Sequence, residues 1–451
     1  MSKELKNKSI MRTILGIIFI MMTVGLSAQQ AQELTLQGAV GKALENNYGI
    51  ITTKKSAEIS EIRNSWGEAG ALPTVRFVGS GNTSKNFSDV DDYTSSQYNG
   101  TVEMNWTLFR GFGVRIQKDR LEELERLSEG NVAVVVENTI YSVILSYYNI
   151  LLADERVNIA KKNMELSRDR YMRMEHSKEI GASVTYDLLQ ARNAYLRDSS
   201  DYLSARSSYN NSVRQLNYNM AEPLEKEYRF ISDFSPNTAD FEFKSLVDKM
   251  LDNNNNLQNQ YMNLELARLD IKSAKSAYYP TLSMTSSGGL QGSEQDYDQN
   301  NQLDQSRSGY TTSVGVSLTY TLSNGNSRKR ALQAAQIEKE ISEVKTEEME
   351  QDLKNQLAQE YELYNVRKEL LDVAQENLDA AELNLDLSQR KFENGSINSF
   401  NFRDVQQIYM DAAYNYQNAV FNLIQSYHTL LRLTGGIIDE YQKQAPTAES
   451  E

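Results

Sequence analysis

Two stretches of the sequence, residues 181–216 and 395–430, carry the same pattern of apolar residues 214 positions apart. In the later stretch the pattern comprises Phe402, Val405, Tyr409, Ala412, Tyr416, Ala419, Leu423 and Leu430. In the earlier stretch it comprises Leu188, Ala191, Tyr195, Tyr202, Ala205, Tyr209 and Leu216. Steps of three and four are typical of a coiled-coil seam on a long helix. A seam that occurs twice at one offset indicates an internal duplication.

A glycine turn precedes each of these helices, at Gly181 and at Gly395, and a second long helical stretch precedes each turn. These stretches, about 114–176 and 326–392, contain no proline. At ~1.5 Å per residue, a helix of about 60 residues spans about 90 Å. A helix of that length must lie against other long helices. The sequence therefore predicts two long antiparallel helical hairpins.

Two other segments alternate between apolar and polar residues, as strands with one face of each kind do. Residues 98–108 and 310–322 show the alternation, and each has a weaker partner that begins at Pro73 or Pro280. We expect β-hairpins at about 73–109 and 280–322, with polar loops at 87–97 and 292–308. The predicted fold class is α+β, mainly long helical hairpins with two β-hairpins per chain and a twofold internal repeat.

The predicted domains are a signal peptide, two repeats, a connector and a tail. Basic residues, the apolar run 14–26 and the small pair Ser27-Ala28 have the order of a secretory signal, predicted at 1–28. The first repeat is 29–220, the connector 221–244 and the second repeat 245–436, followed by a polar tail at 437–451. No membrane-length apolar run follows the signal, so we expect no mature transmembrane helix.

Two interpretations of the four strands remain open. A small sheet packed on the helices would turn its apolar face inward, and a membrane barrel would turn that face to lipid. Three observations favour the barrel. The signal predicts export, the strands have about 11 to 13 residues, and their apolar faces carry Tyr and Trp. The smallest membrane barrels have about eight strands, and lipid tolerates no open edge, so the barrel must be shared between chains.

No pattern for catalysis or for binding a cofactor appears in the sequence. The two histidines, His176 and His428, lie far apart, and no zinc, P-loop or nucleophile motif is present. The acidic segments 89–92 and 294–298 are interpreted as solvated loops. A formal charge of −14 argues against a nucleic-acid partner, and the absence of cysteine excludes disulfides. We therefore expect no enzyme, no metal site and no cofactor.

A set of short motifs recurs in duplicated order along residues 33–436. It comprises Leu34-Thr35-Leu36 before a helix that closes at Asn46-Asn47, Leu72-Pro73 before a strand, Trp106-Thr107-Leu108-Phe109-Arg110-Gly111 between strand and helix, and Gly181 followed by Asp187-Leu188-Leu189-Gln190-Ala191. In this arrangement the chain resembles the TolC-like outer membrane efflux proteins.

That resemblance implies a homotrimer in the outer membrane, with a shared twelve-stranded barrel and twelve long helices forming a periplasmic tunnel. The implied function is a passive, gated duct of a tripartite efflux or type I secretion system. Its partners would be a periplasmic adaptor protein and an inner-membrane transporter. A non-conducting, structural coiled-coil protein of the envelope is the alternative. The sequence does not identify the cargo.

The resemblance also implies a gate at the periplasmic end, just after the turn of the last hairpin. Asp404 falls on one expected acidic position, and Asn401 falls on the other, where an aspartate would match better. Asp187 is the equivalent of Asn401 in the first repeat and is expected to brace the closed state. Phe392 stands where a tyrosine serves in the closed-state contacts of the family.

Overall fold

The structure is a computed structural model that describes residues 32–87, 92–181, 184–297 and 305–442. The helices are α1 Leu36–Asn46, α2 Tyr48–Arg63, α3 Gly113–Glu179, α4 Thr185–Asn219, α5 Phe243–Asn253, α6 Asn255–Ser276, α7 Ser327–Glu393, α8 Ser399–Leu433 and α9 Ile437–Gln442. The strands are β1 Gln32–Leu34, β2 Thr74–Asn86, β3 Tyr93–Arg110, β4 Tyr228–Phe230, β5 Thr281–Tyr297 and β6 Gln305–Thr319. The predicted signal peptide lies outside the described residues.

Two long helical hairpins dominate the molecule, as the sequence predicted. Helices α3 and α7 have 67 residues each, and their partners α4 and α8 have 35 each. A 67-residue helix is about 100 Å long. Helix α3 packs against α4, α7 packs against α8, and contact between α3 and α8 joins the two hairpins. In the half of the molecule nearer the glycine turns, called the lower half, the lateral order is therefore α4, α3, α8 and α7.

The halves of α3 and α7 nearer the sheet, called the upper halves, pack against the shorter helices instead of against α4 and α8. There α2 packs on α3, and α6 lies between α3 and α7. The lateral order in this half is α2, α3, α6 and α7. Both halves therefore present four helices side by side, with α7 at one edge throughout. Among the described residues, no helix is both long enough and apolar enough to cross a membrane.

The corner between strand and long helix has the same backbone in both repeats. Gly111-Phe112 and Gly325-Asn326 each place two successive residues in the left-handed region, with φ between 57° and 64°. At Gly111 a Cβ would lie 2.3 Å from the carbonyl oxygen of Ser276, so only glycine fits there. This corner redirects the chain from the sheet into a helix.

The four longer strands form one antiparallel sheet in the order β2-β3-β5-β6, so β2 and β6 are its edges. Phe77 pairs with Val102 across β2 and β3, while Trp106 pairs with Met284, which pairs with Val316. The predicted apolar faces of the two hairpins thus form one continuous face. Large side chains on it remain exposed, Phe77 at 73% and Val316 at 64%, so the sheet does not pack on the helices.

The strands are longer at their loop ends than the alternation predicted. Strand β3 begins at Tyr93, β5 continues to Tyr297 and β6 begins at Gln305. These extensions are rich in Ser, Thr and Gln on both faces, so backbone pairing continues without the apolar alternation that reveals a strand. The predicted loops 87–97 and 292–308 are accordingly too long, and their tips at 88–91 and 298–304 lie outside the described residues. At the other end, β6 stops at Thr319, before the predicted end at Leu322.

Three clusters of buried apolar residues hold the described helices together. One joins α1, α3, the end of α4, and β1, the second joins α5 and α6 to α7 and α8, and the third joins α3, α7 and α8 near the turns. Most of the predicted seam residues of α8 are buried, with Phe402 at 2% exposure and Leu423 at 0%. The repeated seam is therefore the packing surface of the hairpins.

Two segments that the sequence presented as connector and polar tail are tied into the structure. Within 221–244, β4 pairs in parallel with β1, a pairing between residues nearly 200 positions apart. Residues 437–442 form α9 rather than an open tail, and Ile437 is fully buried in the first cluster. Ile437, Ile438 and Tyr441 anchor this short helix, and six residues are too few for a periodicity argument. Residues 443–451 lie outside the described part of the chain.

Candidate functional site: the glycine-turn ends of the helical hairpins

The turn between α7 and α8 has a defined geometry that depends on glycine. Gly395 has a φ of 71°, and its N–H donates to the carbonyl of Phe392 at 3.1 Å. The N–H of Ser396 donates to Lys391 at 2.7 Å, which closes the end of α7. Gly181 occupies the same backbone region in the first hairpin, with a φ of 74°. Both hairpins therefore reverse direction at a left-handed glycine.

Asn401 and Asp404 lie in the first turns of α8, immediately after this reversal. The Asn398 side chain caps the helix by accepting a hydrogen bond from the Asn401 N–H at 2.8 Å. Both Asn401 and Asp404 are exposed, three residues apart on one side of the helix. A carboxylate here is favoured by the positive end of the helix dipole. Both side chains are therefore free to face a neighbouring chain or a pore.

Asp187 lies in the first turn of α4 and is half-buried. It lines two cavities between the hairpins, one of about 150 Å³ and one of about 750 Å³. The larger cavity is also lined by Phe392. Asp404 lines neither of them. The structure thus brings Asp187 and Phe392 to one groove within the chain and leaves Asn401 and Asp404 on the exposed side of α8.

Phe392 is a packing residue in this conformation. Its ring stacks on the ring of Phe402, with centroids 4.8 Å apart and planes within 4°. The guanidinium carbon of Arg173 lies 5.9 Å from the ring centroid. This contact fastens the end of α7 to the start of α8 and to α3. A phenylalanine cannot donate the hydrogen bond that a tyrosine could make here.

A buried polar cluster, which the sequence analysis missed, joins the two hairpins a few turns above the glycines. Arg403 of α8 donates to both carboxylate oxygens of Asp198 of α4, at 2.6 and 2.9 Å. Ser167 of α3 donates to the same carboxylate and accepts from Arg403 at 3.2 Å. Asp198 and Ser167 are almost completely buried. Such a bidentate, charge-assisted pair fixes the relative position of three helices.

A second part of this cluster is less well satisfied. Arg170 of α3 is 3% exposed and donates to the Oε1 of Gln406 at 3.4 Å. Its Nε and the Nε2 of Gln406 are buried without hydrogen-bond partners. Burial, and then the charge of Arg403, lower the pKa of Arg170 to about 10.

A comparison of the two repeats indicates a buried polar residue at this position of α4. In the α4 seam the regular steps of three and four skip position 198, between Tyr195 and Tyr202. The equivalent position of the second repeat is Ala412, which is a regular seam residue. An aspartate at a seam position requires a buried partner. The sequence did not indicate which residue that partner would be.

Helical hairpins about 100 Å long that continue into a sheet with an exposed apolar face are the arrangement expected of an outer-membrane channel protein. The model of the family described as outer membrane efflux protein matches residues 27–220 and 246–436, and the chain belongs to this family. The location in the outer membrane, with the helices in the periplasm, and the fold class agree with the prediction from the sequence.

Individual relatives support the same assignment. The chain is 24% identical over 358 residues to the alkaline protease secretion protein AprF of Pseudomonas aeruginosa, covering 74% of this chain and 71% of AprF. It resembles the CmeC outer membrane channel of Campylobacter jejuni with a TM-score of 0.75 at 16% identity, over 92% of this chain and 90% of CmeC. The outer-membrane channel OprN gives 0.72 at 15% identity, over 89% and 90%.

Proposed function

We propose that three copies of this chain form a passive, gated duct that carries cargo across the periplasm and the outer membrane. The observation that supports this most is that the sheet of a single chain has two open edges, at β2 and β6. Strands β2 and β6 each leave one side of their backbone unpaired, and four strands cannot close a barrel in lipid. Pairing β6 of one chain with β2 of the next would remove every edge.

The helices have matching edges on the same two sides of the chain. Helix α2 leads into β2 and β6 leads into α7. The helices at the edges of the chain are α2 and α4 on one side and α7 on the other. On α4 the exposed residues Leu189, Leu196 and Leu203 recur every seven positions. On α7, Val366, Val373 and Leu387 are also exposed and follow one another at steps of seven and fourteen. Two exposed heptad seams on opposite edges suit a head-to-tail ring.

The number three comes from the family resemblance and gives twelve strands and twelve lower helices. With the chain divided into repeats at 29–220 and 245–436, each repeat supplies one strand hairpin and one helical hairpin. The strand loops lie at the opposite end from the glycine turns. We place the loops at the cell surface and the turns in the periplasm. The duct performs no chemistry of its own in this proposal.

The glycine-turn end is where we place the gate and the partners. Three Asp404 carboxylates, with Asn401 beside them, would ring the pore at close range and attract cations. Asp187 would brace the closed state between the hairpins, and Phe392 would hold the end of α7 against α8. The cavity of about 750 Å³ beside Phe392 is open to the outside of the hairpins and suits the tip of a periplasmic adaptor that delivers cargo from an inner-membrane transporter.

The experiment that tests the duct is single-channel recording of the purified, assembled protein in a planar bilayer. Discrete, salt-dependent conductance steps are expected. The alternative, a non-conducting coiled-coil spacer, gives a folded trimer without conductance. That spacer has no need for the exposed apolar face of the sheet. A stable folded monomer with all its strands formed would contradict both the shared barrel and the duct.

A further inference from the structure

The cavity of about 150 Å³ lies between α3, α4 and α8, and three arginines line it: Arg170, Arg197 and Arg403. One carboxylate, that of Asp187, also lines it, and Asp198 lies beside it in a bidentate pair with Arg403. Three cations thus face two carboxylates. In the described part of the chain, no ion pair connects Asp187 to any of these arginines. The side chains around the cavity therefore carry one more positive charge than negative charge, although the Arg197 side chain is 64% exposed to solvent.

Arg170 is the arginine of this group for which the described residues provide no ion pair, since Asp198 is paired with Arg403 and Arg197. It is 3% exposed, it lines the cavity, and its hydrogen bond to Gln406 is long at 3.4 Å. Its Nε has no partner. Burial of a guanidinium is unfavourable, and burial followed by the charge of Arg403 lowers the pKa of Arg170, which the nearby Asp198 carboxylate offsets only in part.

The start of α8 contributes a further positive potential. Ser399 and Phe400, the first two residues of this 35-residue helix, line the same cavity. The N-terminal end of a helix carries a partial positive charge and favours anions. The helix end and the arginines come from different parts of the chain and point to the same kind of ligand.

We propose that this cavity binds one small oxyanion, of the size of a carboxylate, sulfate or phosphate group. Guanidinium groups recognise such groups through paired hydrogen bonds. The cavity of about 150 Å³ has room for one group of this size. The anion would contact residues of α3, α4 and α8 together. It would therefore stabilise the arrangement of the two hairpins independently of whether the protein conducts.

Isothermal titration of the intact, detergent-purified protein with inorganic phosphate and with sulfate tests the proposal. The ionic strength is held constant with sodium chloride. Saturable binding of one anion per chain is expected. Arg170→Gln should weaken the binding about tenfold or more, because it removes a charged, buried donor. Arg168→Gln, an exposed position on the same helix with the same change of charge, should bind like the parent.

A second variant keeps the test decisive if Arg170→Gln fails to assemble. Asp187→Asn removes the carboxylate that lines the cavity, so the affinity for phosphate should rise. If Asp187 itself is the counter-ion of Arg170, Asp187→Asn will leave the affinity unchanged or lower it, and the proposal is wrong. The proposal is also wrong if titration with phosphate releases no more heat than titration with chloride. It is equally wrong if the Arg170→Gln variant binds phosphate like the parent. These readouts do not depend on conductance, so they separate the anion site from the duct.

Discussion

The guanidinium of Arg403 forms two hydrogen bonds to the carboxylate of Asp198, at 2.6 and 2.9 Å, and so joins α8 of one hairpin to α4 of the other. The Asp198 side chain is 1% exposed and that of Arg403 is 15% exposed. In this setting each charge depends on the other, because removal of one leaves the other buried and unpaired. The pair fixes how the two hairpins lie relative to each other just above the glycine turns.

Asp198→Asn should therefore lower the free energy of unfolding by about 3 kcal/mol. Urea unfolding followed by circular dichroism measures the loss. Asp201→Asn, an exposed position on the same helix, should change it by less than about 0.5 kcal/mol. The double variant Asp198→Leu with Arg403→Leu should recover part of the loss, because Arg403 is then not left buried without its partner. A single variant as stable as the parent would show that the pair does not hold the hairpins.

The sequence predicted the long helices, the seams and the single apolar face of the sheet because each rests on a repeated local pattern. Because the sequence is duplicated, each pattern occurs twice, and the second occurrence supports the prediction made from the first. The pairing of β1 with β4, the anchoring of α9 and the Arg403–Asp198 contact were not predicted. Each depends on one or a few residues that meet across a long sequence separation, and periodicity carries no information about such partners.

The candidate site was predicted unevenly for the same reason. The positions of Asp404, Asn401, Asp187 and Phe392 follow from their distance to the glycine turns, and the structure places all four near those turns. Their roles remain predictions. The structure adds that Phe392 packs on Phe402 and that Asp187 faces a cavity lined by arginines. Neither contact is encoded in spacing along one helix.

The exposed Asp404 carboxylate gives a prediction about ion selectivity. If three copies ring the pore, Asp404→Ala removes the negative potential there, so preference for cations and block by multivalent cations should both weaken. Bilayer recordings of the reversal potential under a salt gradient measure the first effect, and titration with a trivalent cation measures the second. Asp372→Ala, an exposed carboxylate on α7, is the control. Selectivity like that of the parent in Asp404→Ala would place the constriction elsewhere.

His428 predicts a loss of stability on mild acidification. Burial lowers its pKa from 6.5 to about 4, so the folded protein holds it neutral while the unfolded chain takes up a proton. The stability that depends on a neutral His428 is fully present above pH 6.5. As the pH falls towards 4, the free energy of unfolding decreases by about 3 kcal/mol in total from this residue. The difference in unfolding free energy between the parent and His428→Phe, measured by urea unfolding at several pH values, should show this slope, because the contributions of all other groups cancel in the difference. A difference that does not change with pH would exclude His428 as a source of pH dependence.

Glu137 predicts the opposite slope over nearly the same range. Burial raises its pKa from 4.5 to about 7, and the Asn255 side chain and Arg432 oppose that rise only in part. The folded state therefore favours the protonated acid, and this stabilisation is present below pH 4.5 and lost as the pH rises through 7. Glu137→Gln, which keeps the shape and removes the charge, should gain stability at pH 8 relative to the parent and much less at pH 5. Equal effects at both pH values would contradict a titrating Glu137.

The edges of the chain give a prediction about assembly. Leu196 on α4 is 54% exposed in the single chain, and Val373 on α7 is 63% exposed. In the proposed ring each of these residues is buried against the opposite edge of the next chain. An arginine at either position would place a charge in that apolar contact, at a cost of several kcal/mol per interface. Leu196→Arg and Val373→Arg should therefore reduce the trimer fraction in detergent sharply, as measured by crosslinking and size-exclusion chromatography with light scattering.

The matched control for these edges is Ile408→Arg on α8. Ile408 is 52% exposed, close to the 54% of Leu196, but its helix lies between α3 and α7 of the same chain. The substitution is identical in chemistry and differs only in whether the helix is at an edge. Assembly of Ile408→Arg should therefore match that of the parent. If all three variants lose the trimer equally, the cause is general destabilisation. If Leu196→Arg and Val373→Arg assemble normally, the chains do not meet along α4 and α7, and the ring must close through other surfaces.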